Sequence, residues 1–205
     1  IRTHRKRNYR DMSRIINLTK INKFYTRKTN FLGKTIEKTH ALKDISFSIN
    51  EGEVFGILGP NGAGKSTLIK IMSTLLKEDS GKLEIMGLDI DKNEKEIRKK
   101  INLITGGERG LYWRLTAKEN LEYFAELYGI HGEKKKKIVN KLIKFVGLFG
   151  REDEKVEKYS KGMKQKLQIA RGLINDPQII FLDEPTLGLD VFSAKNLRKM
   201  IKDLS

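Results

Sequence analysis

The sequence predicts an α/β fold: a mostly parallel core that opens with antiparallel strands and is interrupted by a helical insertion. Three observations carry this. Continuous apolar runs of strand length occur at residues 54–58 and 179–182, and a further strand is read at 101–104. Alternating runs precede them, with Ile16, Leu18 and Ile21, then Ile45, Phe47 and Ile49. From about Thr116 to Gly172 the spacing turns helical, through Leu121, Phe124, Leu127 and Tyr128 and then Ile138, Leu142, Phe145 and Val146.

Taken in order, residues 1–14 are basic, with little apolar periodicity, and are expected to be a disordered arm or a non-native leader. A domain over 15–205 follows. Its first strand runs through Ile16 to Ile21, and a polar stretch from Thr26 to His40 separates it from the strand holding Ile45 to Ile49. Asn50, Glu51 and Gly52 make a turn into the run from Val54 to Leu58, read as a strand buried on both faces. A helix over 66–76, strands over 82–86 and 101–104, the helical subdomain at about 107–172 and a strand over 179–182 complete the order.

Composition narrows the class. The chain has 205 residues, a length that fits one domain, and no cysteine, which excludes disulfides and thiolate metal sites. Hydrophobic content of 38% and a mean hydropathy of −0.50 describe a globular chain. No apolar stretch approaches the roughly 18 residues that a bilayer span needs. The formal charge of +16 draws anions. Its clusters at 2–10 and 134–137 read as solvated faces rather than a nucleic-acid patch.

The strongest motif is Gly59-Pro60-Asn61-Gly62-Ala63-Gly64-Lys65-Ser66, with Thr67 after it. It fills the G-x-x-x-x-G-K-[ST] pattern between a strand and a helix, the context of a phosphate loop and of a P-loop NTPase core. Glycines let backbone N–H groups turn inward around phosphates, beside the positive end of a helix. Lys65 then reaches the β- and γ-phosphates of ATP, and the Ser66 hydroxyl ligates Mg²⁺.

A second motif closes the strand at 179–182 with Asp183 and Glu184. Ligands in open α/β sheets bind at the carboxyl ends of strands. Asp183 is therefore a candidate for the Mg²⁺ and Glu184 for the general base that polarises the attacking water.

Tyr159-Ser160-Lys161-Gly162-Met163-Lys164-Gln165 resembles the signature of the ABC ATPases, and Thr186 to Asp190 resembles their D-loop. With the phosphate loop and the carboxylate pair, these stand in that family's order over most of the chain. The resemblance implies a dimer, homomeric or heteromeric, that sandwiches two ATP molecules, with Ser160 and Gly162 contacting the nucleotide of the other subunit. It implies the motor subunit of a membrane transporter working through a separate permease. Such a subunit is cytoplasmic, peripheral on the inner face of the membrane, and binds no nucleic acid directly. The style of the signature and the Gly106-Gly107-Glu108-Arg109-Gly110 stretch favour export. The alternative is a soluble ABC ATPase acting on ribosomes or nucleic acid, which the basic charge favours. One phosphate loop and no sustained heptads weigh against it.

The match has departures. Lys161 and Met163 stand where the family usually has Gly and Gln. At the Q-loop an ungapped reading places Gly107 and one gap places Glu108, the latter a further candidate contact to Mg²⁺. Tyr25 is the candidate adenine-stacking aromatic, with Phe24 the alternative. The switch histidine of the family would lie beyond Ser205, and His4, His40 and His131 cannot replace it by position, so a C-terminal part is expected to be missing. Leu111, Tyr112 and Trp113 fall where a permease helix would dock. An anchoring role there requires at least one exposed ring.

Overall fold

The computed structural model describes residues 14–29, 35–106 and 110–204. The described residues divide into two compact units, with the boundary between Ile97 and Arg98.

In the first unit, β1 (Arg14–Thr29) pairs antiparallel with β2 (Thr35–Asn50) and, on its other edge, with β3 (Ser80–Ile85). A short β4 (Leu88–Asp89) completes the sheet in the order β2-β1-β3-β4. β1 is flanked on both edges, and its Ile16, Leu18 and Ile21 are almost fully buried. The spacing of Leu18 and Ile21 breaks strict alternation because the register shifts between them, at Lys20 with φ of 50°. Such a bulge returns an odd-spaced side chain to the same face. Helix α1 (Lys65–Met72) buries Leu68, Ile69, Ile71 and Met72.

Three expectations change here. Arg14, placed in the arm, belongs to β1, and the rest of the arm lies outside the described residues. The polar stretch from Thr26 to His40 is strand through Thr29 and again from Thr35, because the hairpin ladder itself satisfies the backbone. Residues 53–60 carry no regular structure, and Val54 and Leu58 are 61% and 95% exposed. A strand buried on both faces needs neighbours in its sheet, and no described strand pairs with this run.

Helix α2 (Ile90–Lys100), irregular at Asn93, follows β4 and buries only Ile90 and Ile97. In the second unit β5 (Ile101–Thr105) pairs in parallel with β6 (Ile179–Asp183), in register from Ile101 opposite Ile179 to Thr105 opposite Asp183. This is the parallel pair among the described strands; the remaining sheet is antiparallel. Between them lie α3 (Ala117–Leu127), α4 (Gly132–Phe145) and α5 (Lys161–Gly172), the helical insertion expected from the spacing. Leu121, Ala125, Val139, Ile143, Val146 and Leu167 form its dry centre. Each buried Leu or Ile there contributes roughly 1.5–3 kcal/mol. Gly172 lets α5 lie on β5, since a Cβ there would meet the Ile104 side chain at 2.5 Å. Helix α6 (Val191–Lys202) buries Ala194 and Leu197.

Local chemistry fixes the ends of the insertion. Thr116 and Glu119 form a reciprocal cap on α3, with Glu119 N donating to Thr116 Oγ1 (3.1 Å) and Thr116 N to the Glu119 carboxylate (2.7 Å). The backbone N–H of Thr116 foremost, and then its side chain, hold the Glu119 carboxyl below its ordinary range. The fully buried Asn120 accepts from Tyr112 N (2.8 Å) and donates to the carbonyls of Tyr112 (2.9 Å) and Thr116 (2.8 Å).

Candidate nucleotide site

The phosphate loop lies in the first unit, between the irregular 53–60 segment and α1. Gly62 and Gly64 both take left-handed backbone, with φ of 82° and 84°. Gly64 opens α1, and a Cβ there would stand 2.6 Å from the Ala41 carbonyl oxygen and 2.8 Å from Leu42 Cδ2. Only glycine meets both demands. Lys65 Nζ donates to the carbonyls of Gly59 and Pro60, each at 2.8 Å, so its ammonium curls over the loop that precedes it. Asn61, Gly62 and Ala63 are exposed, while Gly64, Lys65, Ser66 and Thr67 are half-buried at the first turn of the helix.

Tyr25 joins this group. Its hydroxyl lies 3.3 Å from Thr67 Oγ1, and its ring is 44% exposed. Phe24 is engaged elsewhere, stacked on His40 at 4.1 Å with Lys38 Nζ 4.1 Å from its ring centre. Asp79, which sequence reading missed, fixes this edge by accepting from Phe24 N (2.6 Å) and Lys23 Nζ (3.0 Å). Those bonds, the backbone one foremost, hold its carboxyl below the usual range.

The carboxylate pair lies in the second unit. Asp183 ends β6 half-buried, and the exposed Glu184 takes a left-handed φ of 49°. Strain of that kind costs a non-glycine residue about 1–2 kcal/mol, and it swings the chain out of the strand direction at the acid. Gly106 secures the bend. Its N–H donates to the Asp183 carbonyl at 2.7 Å, and a Cβ on it would overlap the Glu184 carbonyl oxygen. Nothing in the local sequence singles out Gly106 beyond a glycine closing a strand, a hint of close backbone approach.

At the start of α5, Ser160 is the N-cap and its Oγ accepts from Met163 N at 3.2 Å. Asp190 caps α6 in the same way, accepting from Ser193 N at 2.9 Å. Gly162 joins the two starts: a Cβ there would be 3.0 Å from Ser193 Oγ. Beside Ser160, Tyr159 is buried and donates its hydroxyl to the Arg151 carbonyl (2.5 Å). Burial pushes that phenol up to about 12.

The structure thus gathers Tyr25, Thr67 and the loop in one unit, and Ser160, Gly162 and the α6 cap in the other. Glu108 and Gly107 lie outside the described residues. Among the described residues no group of three or more His, Cys, Asp or Glu could hold a metal by itself. Mg²⁺ takes hard oxygen donors such as hydroxyls, carboxylates, phosphates and water. Tyr112 and Trp113 are each 47% exposed, so the requirement for an exposed ring is met twice. No described helix is long and apolar enough to cross a membrane.

The family model described as ABC transporter matches residues 42–187. The chain belongs to this family. It is 45% identical over 164 residues to the ABC transporter ATP-binding protein NatA of Bacillus subtilis, covering 80% of this chain and 67% of that one. It is 40% identical to the bacitracin transport ATP-binding protein BcrA of Bacillus licheniformis, covering 87% and 57%. The chain spans between about half and two-thirds of the length of such curated relatives. Among solved structures it resembles CbiO1 of Clostridium perfringens, part of the transporter complex CbiONQ, with a TM-score of 0.80 and 28% identity over 93% of this chain and 73% of that one. It also resembles a dimeric ATP-binding cassette in a post-hydrolysis state bound to ADP and Pi, with a TM-score of 0.76 and 31% identity over 92% and 82%. The fold is therefore that of an ABC nucleotide-binding domain, and ATP is its ligand.

Proposed function

We propose that this chain is the ATP-hydrolysing subunit of a membrane exporter, acting through a separate permease from the inner face of the membrane. The observation that carries the reading is the phosphate loop: two left-handed glycines opening a helix, with a lysine ammonium held over the turn. Gly59, Asn61, Gly62, Ala63 and Gly64 present N–H groups to the phosphates, and Thr67 closes the turn beside Tyr25, which stacks on adenine. Lys65 exchanges its two carbonyl partners for phosphate oxygens, a charge-assisted and stronger pairing. Ser66 and Asp183 would hold Mg²⁺, which would supply charge neutralisation at the transferred phosphate. Glu184 takes the proton of the attacking water as the bond from the γ-phosphorus to the bridging oxygen breaks and ADP leaves.

Ser160 and Gly162 serve the nucleotide of a second subunit, the same or a related chain. The domain includes β1 from Arg14 onward, with the helical subdomain at about 107–172 docking the permease through Tyr112 and Trp113. Export is supported by relatives named for linearmycin resistance, bacitracin transport and daunorubicin resistance. Glu184→Gln tests the chemistry. ATP affinity should persist while turnover falls about 10²-fold or more. Wild-type turnover would remove Glu184 from the reaction.

A further inference from the structure

Helix α4 carries a surface that none of this chemistry uses. Val139, Leu142 and Ile143 turn inward. Lys134, Lys137, Lys141 and Lys144 recur at three- and four-residue intervals on the opposite side, and all are exposed. Their neighbours are neutralised: Lys135 pairs with Glu126 at 2.7 Å and Lys136 with Glu133 at 3.0 Å. The four outward lysines have no ion-pair partner among the described residues. Holding four like charges along about 15 Å of helix costs repulsion that an anionic partner would relieve.

The row has an apolar margin. Ile138 lines a shallow groove of about 430 Å³ with Lys134, Lys137 and Lys141. One turn further on, Phe145 is 38% exposed, and Phe149 beyond the helix is 69% exposed. Lys144 Nζ sits 5.6 Å from the Phe149 ring centre, covering one face of the ring. A half-covered ring is a poor platform for a nucleobase but can enter hydrocarbon by its edge. The row contains no arginine, the side chain suited to bidentate phosphate or base-edge contacts. Lysines as hydrated point charges beside exposed apolar side chains are the pattern of a helix lying at a lipid interface.

We infer that the outer face of α4, with Phe145 and Phe149 at its margin, binds the surface of a bilayer containing anionic phospholipid. The inference goes beyond the ATPase reading and needs no nucleotide. Its test is co-sedimentation of the chain with phosphatidylcholine vesicles carrying one-third phosphatidylglycerol, against pure phosphatidylcholine. Each lysine near an anionic surface is worth about a fivefold change in partition. The combined Lys134→Gln, Lys137→Gln, Lys141→Gln, Lys144→Gln variant should therefore lose binding on the order of several hundredfold. A control with Lys92, Lys95, Lys195 and Lys199 changed to Gln removes the same charge from exposed sites elsewhere and should bind nearly as well as the wild type. Phe149→Ser should weaken vesicle binding severalfold without altering its salt dependence. Equal losses in the two lysine variants would assign binding to net charge alone and overturn the inference. So would indifference to the anionic lipid, or a Phe149→Ser protein that binds vesicles as the wild type does. Loss of binding to a duplex RNA probe with vesicle binding intact would transfer the surface to nucleic acid.

Discussion

Gly106→Ala should separate steric crowding from backbone strain. Gly106 does not sit in the left-handed region, so alanine pays no φ cost there. What it meets is the Glu184 carbonyl oxygen, with Leu187 Cβ at 3.3 Å behind it. The oxygen cannot retreat freely. It accepts from Leu187 N at 3.0 Å, and the preceding carbonyl accepts from Gly106 N at 2.7 Å, at the end of the β5–β6 ladder. Forcing a methyl into a fixed site costs about 1–3 kcal/mol. Losing one ladder hydrogen bond adds roughly 0.5–1.5 kcal/mol. The expected destabilisation is about 2–4 kcal/mol, read as a lower urea midpoint at unchanged slope. Gly62→Ala is the counterpart: φ is 82° but no atom lies within 4 Å of the new methyl, so strain alone applies, about 1–2 kcal/mol. If Glu184 is the base, Gly106→Ala should also cut kcat more than KM, because it shifts the acid without touching the loop. An unchanged midpoint with unchanged kcat would show that the β6 bend gives way, and the account of Gly106 would be wrong.

Other expectations are more local. Thr116→Ala breaks the reciprocal cap on α3 and should cost about 0.5–2 kcal/mol by urea unfolding. Ser160→Ala should cost a similar amount as a lost N-cap, whereas Ser160→Arg should leave nucleotide binding by the monomer intact and abolish ATP-dependent dimerisation, measured by size-exclusion chromatography. Tyr159 favours its neutral form in the fold, so the stability it contributes is complete below about pH 10 and drains away as pH rises through about 12. Phenolate absorbance in alkaline titration should show Tyr159 ionising late, and Tyr159→Phe should remove its part of the late absorbance change. Trp113→Ala should change stability by under about 1 kcal/mol, since the half-exposed ring forfeits mainly its contact with Lys164 Nζ at 4.6 Å.

The motifs were legible because their chemistry is local. A glycine pattern, a strand ending in two acids, and a serine before a helix each fit within ten residues, and the structure shows left-handed glycines opening α1, β6 ending at Asp183 and Ser160 capping α5. The run at 54–58 reads as a strand by hydropathy, yet strand formation depends on partners far along the chain, which no window reports. Helices α2 and α6 escaped notice for the opposite reason. Each buries two apolar side chains, Ile90 and Ile97 or Ala194 and Leu197, too few to mark a helical face. Beyond Tyr25, the sequence of β1 is polar throughout, and its ladder with β2 makes it strand. Gly106, Asp79 and Ser193 matter through contacts between distant segments, so their roles emerge only from coordinates.

Asn120 shows how little freedom such a contact leaves. Its amide uses one acceptor and both donor hydrogens on three backbone groups, two of them eight residues away at Tyr112. Aspartate has the shape without the donors, leucine has the bulk without either, and glutamine has the chemistry at the wrong reach. The two exposed rings at 112 and 113 can therefore vary with whatever they touch, while the hidden amide that aims them cannot. In a chain of this design, the surface that chooses a partner can drift quickly because one interior residue stands still.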